Sequence, residues 1–331
     1  MSRSPATRRP PFALRGLWPA EVSARRYLQL AVGSLAVLFL VVTSGAFVRL
    51  TASGLGCDNW PRCGDKPYPE TGYHAFVEFG NRLVALVGIV LTLVTWLAAR
   101  KVDPARLSPI GRRMALAAML GAVAQIPLGG VTVILELHPV AVMMHFFLAL
   151  AVVACAAVAV LEGLPRAPAG AGPVGPGWWR RLALAGVPAA AVLVVSGAVA
   201  TAAGPHSGGE DIRRLGVAVN DAVYVHVRVS AVFGIGLLLI GIWLLRHRSS
   251  VPGLARLGGL LLAATIAQAI LGEVQYRNAI PWGMVLAHVF LAATIWTLVV
   301  VVVWLVWRPR SLVYEAGAAG DTVRRQPAAV R

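Results

Sequence analysis

Three histidines, His145, His226 and His288, each fall near the same end of a long apolar run, and two of them lie in copies of one repeated segment. Residues 124–149 (AQIPLGGVTVILELHPVAVMMHFFLA) align without a gap on 267–292 (AQAILGEVQYRNAIPWGMVLAHVFLA); 10 of 26 positions are identical, and His145 falls on His288. A fourth histidine, His74, opens another apolar run. Imidazole is a ligand for transition metals and for heme iron, and recurrence at one depth of a duplicated unit points to a group held between helices. A tetrahedral metal site gathers three or four ligands. Here each half offers at most one ligand from each of two helices, the arrangement that clamps an iron porphyrin along its axis. His226 and His288 form the clean pair. His138, His206 and His247 fall in connections and read as solvated residues.

The run His74-Ala-Phe-Val-Glu78-Phe-Gly-Asn81-Arg82 adds charge to the same region. Positions 74, 78, 81 and 82 are spaced i, i+4, i+7, i+8 and share one helical face. A lone carboxylate or guanidinium at mid-membrane costs about 2.5–3.5 kcal/mol on insertion scales, and less near the edge. Two readings fit: Glu78 and Arg82 pair with each other at i, i+4, or Glu78 serves a bound porphyrin. Upstream, Gly54-Leu-Gly-Cys57-Asp-Asn-Trp60-Pro61-Arg-Cys63 places two cysteines in a loop with five residues between them. On the oxidising side of a membrane such a pair forms a disulfide, as a loop staple or as a redox couple. Cys155, deep in an apolar run, reads as a packing residue.

These residues must be positioned by membrane spans. The chain is 58% hydrophobic and 13% charged, outside the range of soluble domains. Eight stretches reach the roughly 20 residues needed to cross a bilayer: 27–48, 74–99, 112–133, 139–161, 180–201, 219–245, 254–275 and 282–307. The first is too long for a signal-peptide core and reads as retained. The net charge of +16 does not call for nucleic acid, because 22 of the 30 Lys and Arg fall in the two tails and three alternate loops. The opposite loops carry Asp58, Asp65, Glu70, Glu136, Glu210, Asp211 and Asp221. This positive-inside pattern places both termini in the cytoplasm, in a bilayer expected to be the plasma membrane. The expected organisation is a cytoplasmic tail (1–26), an N-terminal four-helix half (27–162), a cytoplasmic linker (163–178), a C-terminal four-helix half (179–307) and a second tail (308–331). The tails read as disordered and the Gly/Pro/Ala-rich stretch 163–177 as flexible. Four spans return each half to its starting side, so an all-α integral membrane fold of two pseudo-symmetric four-helix bundles is expected. The repeat is weaker in the first helices, where Ser44-Gly45-Ala46 resembles Ser196-Gly197-Ala198.

From span 1 to span 8 the chain resembles the heme A synthase family. The likeness is carried by the run from Ser44-Gly45 to Gly56-Cys57-Asp-Asn-Trp60-Pro61-Arg-Cys63, by Glu78-Phe79-Gly80-Asn81-Arg82, and by the histidines of spans 4, 6 and 8. The resemblance implies a C-terminal half holding heme b between His226 and His288. It implies an N-terminal half receiving heme O, with His145 as an axial residue and Glu78 as the essential acid. The reaction implied is oxidation of the C8 methyl of heme O to a formyl group, serving terminal oxidase assembly, with heme O synthase as a possible supplier. Cys57 and Cys63 match the cysteine pair of many members. Many members also carry a histidine three residues after the glutamate, where this chain has Asn81. The substrate heme is then held by His145 alone, or His74 supplies the second ligand, with Arg82 a charge partner. A membrane cytochrome b and a heme or small-molecule transporter built on a parallel repeat are the rival readings.

Overall fold

The computed structural model describes residues 21–57, 59–206, 208 and 212–315. The tails before residue 21 and after 315, and Asp58, Glu210 and Asp211, lie outside the described residues. Eight long α-helices follow one another: α1 (Ala24–Leu50), α2 (Tyr73–Ala99), α3 (Pro109–Ile134), α4 (Pro139–Gly163), α5 (Gly177–Ala203), α6 (Val219–Arg246), α7 (Pro252–Arg277) and α8 (Trp282–Trp307). A 3-10 turn follows at Ser311–Val313. Only isolated bridges, and no strands, occur among the described residues. All eight helices are long and apolar enough to span a membrane, and the protein is a multi-pass membrane protein.

Each span expected from the sequence lies inside its observed helix. Most of the helices run slightly further than these stretches, and α1 and α3 begin at serine caps. Ser23 and Ser108 accept the N–H groups of Arg26 and Gly111, satisfying backbone donors that a helix start leaves free. Pro109, Pro139 and Pro252 occupy first-turn positions, where a missing N–H costs nothing. Pro127 and Pro188 lie within α3 and α5.

Helices α1 to α4 pack in a ring, each on its chain neighbour and α1 on α4; α5 to α8 do the same. The rings meet where α8 lies against α1 and α4. Lipid supplies no hydrophobic drive between helices, so close packing and buried polar contacts hold them together. Small residues line the first ring, including Ala98, Ala115, Ala118, Ala122 and Ala156, and Ser34 Oγ meets Thr95 Oγ1 at 2.8 Å across α1 and α2. Between the rings, Trp296 Nε1 donates to Leu150 O at 2.9 Å. Phe39 meets Phe290, and Phe47 meets Trp282, edge to face at 6.1 and 6.0 Å between ring centroids.

The stretch 163–177, expected to be flexible, is held in place. Val174 N donates to Val306 O, Ser311 N donates to Pro165 O, and Arg166 bridges to Arg310. The start of the C-terminal tail is correspondingly packed, with Val313 fully buried. Beside this seam Glu162, at the end of α4, is fully buried. Its carboxylate accepts from Trp304 Nε1 at 3.0 Å, Arg308 Nε at 3.1 Å and Arg310 Nη2 at 2.5 Å, and from the Ser108 hydroxyl.

Candidate heme sites at the loop end of the bundle

Alternation of the helices collects the α1–α2, α3–α4, α5–α6 and α7–α8 connections at the end opposite the termini. His226 and His288 face each other just inside that end, from α6 and α8, with ring centroids 6.5 Å apart and planes inclined at 61°. A neighbouring helix contacts each histidine, through the ring of His226 and through the backbone of His288. Ser196 Oγ on α5 meets His226 Nδ1 at 2.9 Å, and Gly197 leaves room for the ring, since a Cβ there would stand 3.0 Å from His226 Cε1. On α7, Gln268 Nε2 donates to His288 O at 3.0 Å. One turn further, a Cβ on Gly272 would stand 3.3 Å from His288 Cε1. Nδ1 of His288 is buried without a hydrogen-bond partner among the described residues.

This pair fits an iron porphyrin. With metal–nitrogen bonds of about 2 Å, and each ring centre about 1 Å behind its ligating nitrogen, two axial imidazoles stand about 6 Å apart, centre to centre. Ser196 ties down one nitrogen of His226 and leaves the other available, as ligating imidazoles require. No group of three or more His, Cys, Asp or Glu that could hold a metal ion is found among the described residues.

The N-terminal half repeats part of this arrangement. Gln125 Nε2 donates to His145 O at 3.2 Å, a Cβ on Gly129 would stand 3.4 Å from His145 Cε1, and His145 Nδ1 is buried and unpartnered among the described residues. Across from Ser44, where the other half has His226, stands Asn81: Ser44 Oγ lies 2.7 Å from Asn81 Oδ1. The contact places Asn81, not Gly80, in register with His226. His74 lies in the first turn of α2, exposed, with Nδ1 2.9 Å from Ser53 Oγ.

Glu78 is almost fully buried, and both of its oxygens are engaged. Oε1 accepts from Arg82 Nη2 at 2.5 Å and Oε2 from the Cys57 backbone N–H at 2.9 Å. Arg82 also donates to the carbonyls of Pro61 and Arg62 at 3.1 and 2.9 Å. The i, i+4 ion pair is therefore present, and it is anchored in the cysteine loop. That loop is closed by the Cys57–Cys63 disulfide. Trp60 covers Gly130, where a Cβ would stand 3.1 Å from the indole ring. Loop, carboxylate and guanidinium form one cap over the half that carries His145.

The remaining histidines have local roles. His206 Nε2 meets Ile280 O at 2.7 Å, His247 Nδ1 meets Trp243 O at 2.9 Å, and His138 precedes the first residue of α4. Cys155 is free and packs in the apolar interior. Sequence reasoning missed Gln125, Gln268, Gly129 and Gly272 as neighbours of the histidines. All four are identical positions of the 124–149/267–292 repeat, which was the available signal.

Fold and site together define a multi-pass helical membrane protein with two histidines facing each other between its helices, at a spacing that fits an iron porphyrin. A sequence profile of the family described as "Cytochrome oxidase assembly protein" matches residues 28–74 and 65–300, and the chain belongs to that family. Among curated relatives, the heme A synthase of Symbiobacterium thermophilum is 33% identical over 119 residues, 35% of this chain and 38% of that protein. That of Geobacillus thermodenitrificans is 31% identical over 112 residues, 33% and 34% of the two chains. That of Lysinibacillus sphaericus is 41% identical over 78 residues, 22% and 25%. The matched segments thus span from 25% to 38% of these relatives' own length.

Proposed function

We propose that the protein is a heme A synthase, an oxidoreductase that converts the C8 methyl of heme O to a formyl group in two successive oxidations. Each adds one oxygen atom from water at the carbon and releases two electrons and two protons, with dioxygen as the terminal oxidant; the first gives a hydroxymethyl group and the second a hydrated aldehyde that loses water. The observation that carries the reading is the 6.5 Å separation of His226 and His288, in a chain of a family whose curated members here are named heme A synthase. In this reading His226 and His288 hold heme b, which supplies one-electron transfer when bound. His145 holds the substrate heme iron. His74 is the other histidine on the face of α2 that carries Glu78 and Asn81.

The protein's own contribution is placement and charge. Oxidation at a methyl carbon attached to a porphyrin leaves positive charge developing on that carbon. Glu78, held by Arg82 and by the Cys57 N–H, presents a fixed carboxylate that stabilises such charge without reorganising. The cap formed by Trp60 and the disulfide loop excludes bulk water above it. Both termini are placed in the cytoplasm and the disulfide on the outer face of the plasma membrane, in keeping with the distribution of Arg and Lys.

Expression in a host whose membranes contain heme O but no heme A tests this, with extracted pigments separated by chromatography and identified by mass. Heme A formed only with the intact chain is the expected result. Glu78→Ala is expected to keep heme b and to lower heme A yield about 100-fold, by analogy with removal of one preorganised electrostatic group. Heme b retained with neither heme A nor the hydroxylated intermediate, in the presence of heme O and oxygen, would instead identify an electron-transfer cytochrome.

A further inference from the structure

The two halves treat their histidines alike on one side and differently on the other. His145 and His288 share a glutamine on the backbone carbonyl and a glycine against the ring. On the facing side, the serine of Ser196-Gly197 holds His226, whereas the serine of Ser44-Gly45 holds Asn81. Asn81 therefore occupies the place of an axial imidazole.

An amide cannot substitute for that imidazole. The asparagine side chain ends at the atoms corresponding to Nδ1 and Cδ2 of histidine, one ring atom short of Nε2, and a neutral amide is a poor ligand for heme iron. Ser44 holds one end of the amide, and the other end has no hydrogen-bond partner among the described residues. His74 does not fill the gap. It precedes Asn81 by seven residues, about 10.5 Å along an α-helix, and lies exposed in the first turn of α2 at the loop end.

Resting on the reading that this half receives a heme, we propose that the N-terminal half binds its iron through His145 alone. Asn81 then leaves the opposite axial face open to a small neutral ligand of the diatomic class, such as oxygen or carbon monoxide. The truncated side chain supplies the space, and the free end of the amide lines it. The two hemes of one chain are accordingly unlike: one closed by two imidazoles, one open.

Carbon monoxide is the probe. Full-length protein is purified from membranes containing heme O, its hemes are counted by pigment extraction, and the dithionite-reduced sample is titrated with the gas. About one of the two hemes per chain is expected to give a carbon monoxide difference spectrum, the other remaining low-spin and unreactive. Asn81→His is expected to abolish the difference spectrum while both hemes stay bound, the spectrum of the His226/His288 heme reporting that the chain is folded. His74→Ala is expected to leave carbon monoxide binding intact. Two hemes per chain with no reaction in the wild type, and reaction gained in His74→Ala, would overturn the proposal in favour of His74 as the second ligand. A single heme per chain, unaffected by His145→Ala, would remove the two-site reading on which the proposal rests, and the proposal with it.

Discussion

At the scale of single residues, the features that distinguish a site from a span are small hydroxyls and glycines beside the histidines. In the proposed role of His226 an imidazole that ligates through one nitrogen needs the other held, and the Ser196 hydroxyl is the only side chain bonded to the His226 ring among the described residues. Loss of such a partner weakens a metal centre by about 10–100-fold. Ser196→Ala is accordingly expected to lower heme b retention by at least about tenfold, measured by competition with an apo-heme acceptor, and to shift the midpoint potential of the heme that remains. Glu78 illustrates the opposite principle. Its burial is tolerated because Arg82 and a backbone N–H satisfy both oxygens, so the charge is fixed in position before any substrate arrives.

At the scale of the helices, α7 sets the position of α8 through Gln268 and Gly272, as α3 does for α4 through Gln125 and Gly129. A valine at 272 would drive its methyls into the His288 ring, which already stands 3.3 Å from where a Cβ would be. Gly272→Val is expected to lose the reduced-minus-oxidised heme b spectrum, whereas Gly259→Val, on the same helix where a Cβ meets nothing within 4 Å, is expected to retain it. The spans were legible from the sequence because 20 apolar residues in a row carry the signal locally, and the histidines because their chemistry names them. The neighbours were not. Glutamine and glycine in an apolar helix have no chemistry of their own, and their identity across the repeat acquired meaning only once α3 and α7 lay against the histidines. The register of α2 was likewise not legible locally; the matching contacts of Ser44 and Ser196 with Asn81 and His226 establish it. The linker misled for a related reason: its Gly, Pro and Ala content reads as flexible, but its hydrogen-bond partners lie beyond residue 300.

At the scale of the whole molecule, the two rings are joined at the loop end by aromatic contacts and by Arg49, whose Nη2 donates to Thr201 O at 3.2 Å. At the opposite end they are joined by the buried carboxylate of Glu162. Removing one partner of a buried ion pair costs about 3–5 kcal/mol, because the remaining charges are left without compensation. Glu162→Ala is expected to destabilise the folded protein by about that amount, read as a lowered thermal transition in detergent, with Glu162→Gln intermediate because it keeps the shape and loses the charge. The carboxylate and its linker also impose an order on biogenesis. Glu162, Pro165 and Val174 leave the ribosome well before their partners Trp304, Val306, Arg308, Arg310 and Ser311, which are among the last residues described. A nascent chain can complete its first ring early, but this joint between the rings can close only when translation has passed residue 311. Until then the Glu162 carboxylate of the first ring has the Ser108 hydroxyl but none of its indole and guanidinium partners.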